Sequence, residues 1–307
     1  RIGTVTDFST LAGRPTKITA RGFGWTHSGR TQPALADIDL VIEPGERVLL
    51  CGDSGSGKST FLAAIAGVLG SDEEGTRTGE ILLEDSTGAV EEPGHSIPVG
   101  LVLQDPDSQV ISARVGDDIA FGCENLAYPR EEIWRRVAAA KDLVGPFVDL
   151  DFPTERLSGG QKQRLALAGV IAMGAGVVLL DEPTANLDPA GARDVVRAVS
   201  ALVEETGATL VVVEHQHTAW EGLLDRAVEI AHGRIVADGP FEQIARRRRV
   251  EELPQARELG DGAAREGDAA LWSKDLVTRF GPPRTISLPA GASTVITLSL
   301  IHISEPT

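Results

Sequence analysis

The apolar residues of this chain fall into short unbroken runs separated by glycine, proline and charge. Arg47-Val48-Leu49-Leu50-Cys51, Val99-Gly100-Leu101-Val102-Leu103, Val177-Val178-Leu179-Leu180 and Ala208-Thr209-Leu210-Val211-Val212-Val213 are the clearest of them. Runs of this length and continuity are expected of strands buried on both faces of a parallel sheet. Between them, residues 60–66, most of 116–148, 165–173 and 190–203 carry helix formers and helical spacing. Nearer the start, 17–20 and 34–42 are short apolar segments set off by turns, a pattern that predicts antiparallel strands. Glu80-Ile81-Leu82-Leu83 predicts a further strand between a glycine-rich loop at 70–79 and a polar connection at 85–98. Residues 1–16 lack clear periodicity and read as a leader. Strands alternating with helices predict an α/β domain.

The run at 47–51 leads into Gly52-Asp53-Ser54-Gly55-Ser56-Gly57-Lys58-Ser59-Thr60, which fits G-x-x-x-x-G-K-[ST], the phosphate-binding loop. A strand entering a glycine-rich turn that opens a helix is the setting this motif requires. Glycine lets the backbone curl so that successive N–H groups converge on phosphate oxygens, and the helix N-terminus adds partial positive charge. Lys58 is expected to reach the β- and γ-phosphates, and the Ser59 hydroxyl to ligate Mg²⁺.

Other strand ends carry polar groups as well. The run at 99–103 ends at Gln104, at the carboxyl edge where open α/β sheets bind ligands, although a glutamine there can also be a satisfied hydrogen bonder. The run at 177–180 ends in Asp181-Glu182, and adjacent acids in such a place are costly unless paired or metal-bound. The run at 208–213 ends at Glu214-His215. Trp25, 27 residues before Gly52, reads on composition alone as core.

Composition narrows the partners. Acidic residues outnumber basic ones, 45 to 29, for a net charge of −16, which argues against nonspecific nucleic-acid binding. The two cysteines, Cys51 and Cys123, form no disulfide framework and fit a reducing compartment. The longest uncharged run, 165–180, contains Gly169, Gly174 and Gly176. It is shorter than the roughly 20 residues a spanning helix needs, and reads as a helix, a turn and a buried strand.

In order, the phosphate loop, Gln104, Leu157-Ser158-Gly159-Gly160-Gln161, Asp181-Glu182, Asn186-Leu187-Asp188 and His215 resemble the ATPase domain of ABC transporters, over roughly residues 17–244. That resemblance implies a P-loop NTPase fold of the ABC type. It would have a mixed core sheet, an antiparallel β subdomain and a helical signature subdomain at about 106–165, within a domain spanning 17–245. It also implies roles. Trp25 would stack on adenine, and Gly52 to Thr60 would cradle the phosphates of ATP. Gln104 would contact the metal and the attacking water and couple the site to the transporter. Asp181 would hold Mg²⁺ through water, Glu182 would act as general base, and His215 would contact the γ-phosphate. Ser158, Gly159 and Gly160 would bind the γ-phosphate held by a second ABC ATPase domain, because such domains sandwich two ATPs head to tail. Asp188 would communicate across that interface.

Within the class, Leu103-Gln104-Asp105-Pro106-Asp107-Ser108-Gln109-Val110, Val115 through Gly122, Glu214-His215-Gln216 and Trp220 through Arg226 are similar to the ATPases of energy-coupling factor importers, tandem members included. The resemblance implies a peripheral subunit at the cytoplasmic membrane face. Its ATP hydrolysis would drive uptake of a vitamin or transition-metal ion through membrane-embedded subunits, with no nucleic acid involved. Residues 246–270 read as a linker, with Arg246-Arg247-Arg248-Arg249 as a solvated helix end. Residues 271–307 look like the truncated start of a second ABC domain. Gly291 to Thr297 repeats the lead-in at 45–51, but Leu298 stands where the first loop glycine belongs, and 298–307 read as foreign residues.

A soluble ABC protein acting on ribosomes would need a long charged arm and basic patches. A DNA-repair ATPase of this type places a long coiled coil between phosphate loop and signature, where this chain has about a hundred residues between Lys58 and Leu157. A small-molecule kinase has no use for the signature.

Overall fold

The computed structural model describes residues 11–70, 74–145, 147–215, 217–252, 269–278 and 281–289. The chain divides into two compact units, Arg1–Val250 and Glu251–Thr307. In chain order the first contains β1 (Thr16–His27), β2 (Leu35–Ile42), β3 (Arg47–Cys51), α1 (Lys58–Ala66), β4 (Gly75–Asp85), β5 (Val90–Glu91) and β6 (Val99–Val102). It continues through α2 (Val115–Asn125), α3 (Arg130–Ala140), α4 (Gly159–Ala172), β7 (Val177–Asp181), α5 (Pro189–Thr206), β8 (Thr209–Val213), β9 (Arg226–Ala231), β10 (Arg234–Pro240) and nearly all of α6 (Phe241–Glu252), whose last two residues fall in the second unit.

Six strands form a mixed sheet in the order β10-β9-β3-β8-β7-β6, in which only the β9–β10 pairing is antiparallel. The continuous apolar runs have a direct cause. Alternate residues of β7 and β8 enter different cores: Val178, Leu180, Leu210 and Val212 face one, Val177, Leu179, Val211 and Val213 the other. The first core is closed by α2 to α5. The second is closed by α1 and by an antiparallel sheet in the order β2-β1-β4-β5. Cys51 and Cys123 are free and buried, and burial pushes each thiol up to about 11.

Several expectations need correction. The loop at 70–79 is partly strand: β4 begins at Gly75 and pairs with β1 as far as His27, because the long β1 offers backbone partners that a polar sequence does not advertise. The predicted helical stretch 116–148 breaks at Ala127, which takes a left-handed φ of 54°, and restarts after Pro129. Residues 11–16 are no loose leader, since Leu11 and Thr16 are fully buried. Beyond 245 the chain continues as α6, and Arg248, expected in a solvated helix end, is buried (9% exposed) against Glu229.

Among its described residues the second unit holds an antiparallel pair, β11 (Ala269–Thr278) and β12 (Gly281–Pro289), with Leu271 opposite Leu288 and Ser273 opposite Ile286. The residues expected to be foreign, 298–307, lie outside the described residues.

Candidate functional site

The phosphate loop joins β3 to α1, and its shape depends on glycine at two positions. Gly52 has φ 142°, and a Cβ there would lie 2.0 Å from the Ile230 carbonyl oxygen. Gly57, the N-cap of α1, has φ 107° and would press a Cβ to 2.5 Å from the Ala34 oxygen. Lys58 is 5% exposed and folds back across the loop, donating to the carbonyl oxygens of Gly52 and Asp53 at 2.8 Å each. Burial holds its pKa below the usual lysine range, against the opposing pull of Glu182 and Asp181. A buried ammonium whose neighbours are mostly neutral carbonyls is well prepared for an anion.

Asp181 ends β7 beside the loop. Burial raises its carboxyl pKa, a hydrogen bond with Ser59 opposes that shift, and the charge of Glu182 adds to it. Among the described residues no group of three or more His, Cys, Asp or Glu side chains could form a metal cage. One carboxylate paired with a hydroxyl at a phosphate loop nevertheless fits Mg²⁺, which usually takes one or two protein oxygens and completes its shell with phosphate and water.

Glu182 follows in the left-handed region (φ 47°), a conformation costing roughly 1–3 kcal/mol for a non-glycine residue. The turn is held in place by the Glu182 N–H on the Val213 carbonyl (2.9 Å) and by buried Glu214, which accepts from the Thr184 N–H (3.2 Å) and hydroxyl. So placed, the Glu182 carboxylate meets Gln104 Nε2 at 3.1 Å on one oxygen and His215 Nε2 at 3.1 Å on the other. Gln104, Glu182 and His215, predicted from three separate strand ends, therefore form one contact group.

The segment carrying Gln104 is tied to the signature helix. The Leu103 carbonyl accepts from Gln109 Nε2 (3.0 Å) and from Gln163 Nε2 (3.1 Å), and Gln163 lies buried on α4. Ser158 caps α4 through a reciprocal capping box with Gln161, leaving Ser158 and Gly159 exposed at its N-terminus. Asp188 caps α5, accepting from the Gly191 N–H at 2.8 Å.

A cleft of ≈ 430 Å³ opens over the loop, lined by Ser54, Gly55, Gly57, Lys58, Ser59, Thr60 and Glu182 on one side and His27, Arg30, Gln32 and Ala34 on the other. Neither Ser158, Gly159 nor Gly160 lines it. Nor does Trp25, expected as the adenine platform. Its ring is 4% exposed, its N–H is directed at His27 Nδ1 (3.2 Å), and Gly75 covers its six-membered ring so closely that a Cβ there would approach to 2.3 Å. The aromatic ring at the cleft is His27, two residues further along β1 on the same side. Trp25→Ala is therefore expected to destabilise the fold by about 3–5 kcal/mol, measured by denaturant unfolding. A loss under about 1 kcal/mol would place the ring outside the core.

The sequence assigns no role to His27 or Gln163, marks Glu214 only as a strand-end group, and presents Arg248 as part of a solvated helix end. Of these only Glu214, an acid at a buried strand's end, carries a signal in the sequence.

The ABC transporter family profile matches residues 35–185. A putative ABC transporter ATP-binding protein of Methanosarcina acetivorans is 39% identical over 226 residues, 73% of this chain and 35% of that protein. The chain thus spans little more than a third of that relative's length. The energy-coupling factor transporter ATP-binding protein EcfA1 of Caldanaerobacter subterraneus subsp. tengcongensis is 36% identical over 249 residues, 78% of this chain and 86% of EcfA1. The solved structure of cbiO1 from Clostridium perfringens, part of the ABC transporter complex cbiONQ, is similar with a TM-score of 0.64 at 30% identity, covering 76% of this chain and 92% of that one. With a relative of this identity matched over most of its length, and with the phosphate loop, paired acids and signature all in place, the chain belongs to the ABC transporter family of ATP-binding proteins.

Proposed function

We propose that the chain binds MgATP at its phosphate loop and hydrolyses it against the signature of a second ABC ATPase domain, as the motor subunit of an importer of the energy-coupling factor type. One observation carries this reading. The cleft joins the phosphate loop to Glu182 but excludes Ser158, Gly159 and Gly160, whose helix N-terminus is capped yet exposed. Each chain thus offers an anion-binding loop without a signature and a signature without a phosphate.

Within the cleft the loop amides and Lys58 bind the β- and γ-phosphates, and His27 faces the base in place of Trp25. Ser59 and Asp181 would hold a magnesium ion, which would supply charge neutralisation for the phosphates. Glu182 takes the proton of the attacking water, Gln104 and His215 orient its carboxylate, and Ser158, Gly159 and Gly160 of the second domain close over the γ-phosphate, with Asp188 at that interface. Such a loose, highly charged transition state is stabilised by placed donors more than by covalent chemistry.

The described residues include no helix long and apolar enough to cross a membrane, and in this reading membrane-embedded subunits carry the cargo. The similarity to EcfA1, an energy-coupling factor transporter ATP-binding protein, and to cbiO1, part of an ABC transporter complex, supports a transporter subunit of this type. A vitamin or transition-metal ion is the cargo that the sequence resemblance implies. The pairing of β11 with β12, antiparallel like that of β1 with β2, supports 271–289 as the opening of a second ABC domain. The test is phosphate release from ATP by the full chain. Release should require magnesium and stop with a chelator, and turnover undiminished by chelation would contradict the metal assignment.

A further inference from the structure

Asp53 is the one acid in the phosphate loop, and its side chain is 91% exposed. Its backbone oxygen holds Lys58 Nζ at 2.8 Å, so the residue sits beside the cation a phosphate would meet. An unopposed carboxylate at this place repels a polyphosphate.

The fold opposes it from a distant part of the chain. Arg248 of α6 sets Nη2 3.0 Å from Asp53 Oδ1 and Nη1 2.8 Å from Glu229 Oε1 on β9. The Arg248–Glu229 half of this arrangement is buried, with side chains 10% and 11% exposed, and Glu229 is also paired with Arg247. A planar guanidinium held at Nη1 presents Nη2 in a fixed direction, which a flexible lysine cannot do. The buried pair therefore aims a permanent positive charge at the loop's own acid.

We propose that Arg248 is a positioning residue of the nucleotide site, neutralising Asp53 and holding its carboxylate on the α6 side of the loop, so that the helix after β10 sets the phosphate loop's affinity. This inference rests on the nucleotide reading above. It makes α6 part of the binding machinery: any displacement of that helix releases a negative charge at the phosphates.

The test is ATP affinity of the full chain, measured by calorimetry at low salt, for Arg248→Gln in the native background and again in the Asp53→Asn background. Arg248→Gln should weaken binding about tenfold where Asp53 is present and less than about twofold in the Asp53→Asn background, because the penalty comes from the freed carboxylate. Any fall in unfolding midpoint from the lost Glu229 pair should be equal in both backgrounds. Should Arg248→Gln not fold, Arg248→Lys, which keeps charge but loses the fork, should show a smaller loss again confined to the native background. Equal losses in both backgrounds, or none in either, would overturn the inference while leaving the nucleotide reading intact. Absence of ATP binding by the unaltered chain would overturn both.

Discussion

Glu182→Gln should leave ATP binding intact and slow phosphate release by roughly 10²–10⁴, the usual worth of a positioned general base. The side chain keeps its size, so the contacts with Gln104 and His215 can partly persist (3.1 Å each in the native site), while the capacity to accept a proton is lost. Binding should be unchanged or tighter, because a negative charge leaves a cleft built for phosphate. Calorimetry and a phosphate-release assay on the same preparation separate the two effects. Turnover within a few-fold of the native chain would remove Glu182 from the mechanism, and the strained turn that presents it would then need another explanation.

Ser158→Asp should be nearly as damaging, for a different reason. Aspartate is as good an N-cap as serine, so α4 and its capping interaction should survive. The new carboxylate, however, replaces a hydroxyl donor with a negative charge where the γ-phosphate of a partner domain would dock. Losing one such donor typically costs about 10²–10³ in rate, and adding repulsion deepens the loss. ATP binding to the single chain should not change, since Ser158 does not line the cleft. A variant that hydrolyses ATP at the native rate would show that the signature acts elsewhere.

Much of this site was legible because its parts are short and local. The phosphate loop, the paired acids and the signature each occupy a few consecutive residues, and strand-end position alone brought Gln104, Glu182 and His215 to one place. What escaped depended on contacts distant in sequence. Composition alone reads Trp25 as core, which its burial under Gly75 of β4 matches, whereas the family resemblance assigns it to adenine. The covering residue lies in a stretch whose polar sequence reads as loop. The arginine run at 246–249 read as solvated because its buried partner, Glu229, lies on β9, 19 residues before Arg248. Local charge patterning cannot register such a pairing. Gln163 was passed over for the same reason: its hydrogen bond to Leu103 spans 60 residues.

In this reading one chain carries two halves of a catalytic site that act on different ATP molecules. The most direct measurement is the rate of phosphate release per chain, at saturating MgATP, across a wide range of protein concentration. If the phosphate loop of one chain needs the signature of another, the rate per chain should rise with concentration and level off as pairs form. A substantial rate per chain that stays constant down to the lowest concentrations, where sedimentation shows only single chains in the presence of ATP, would contradict it.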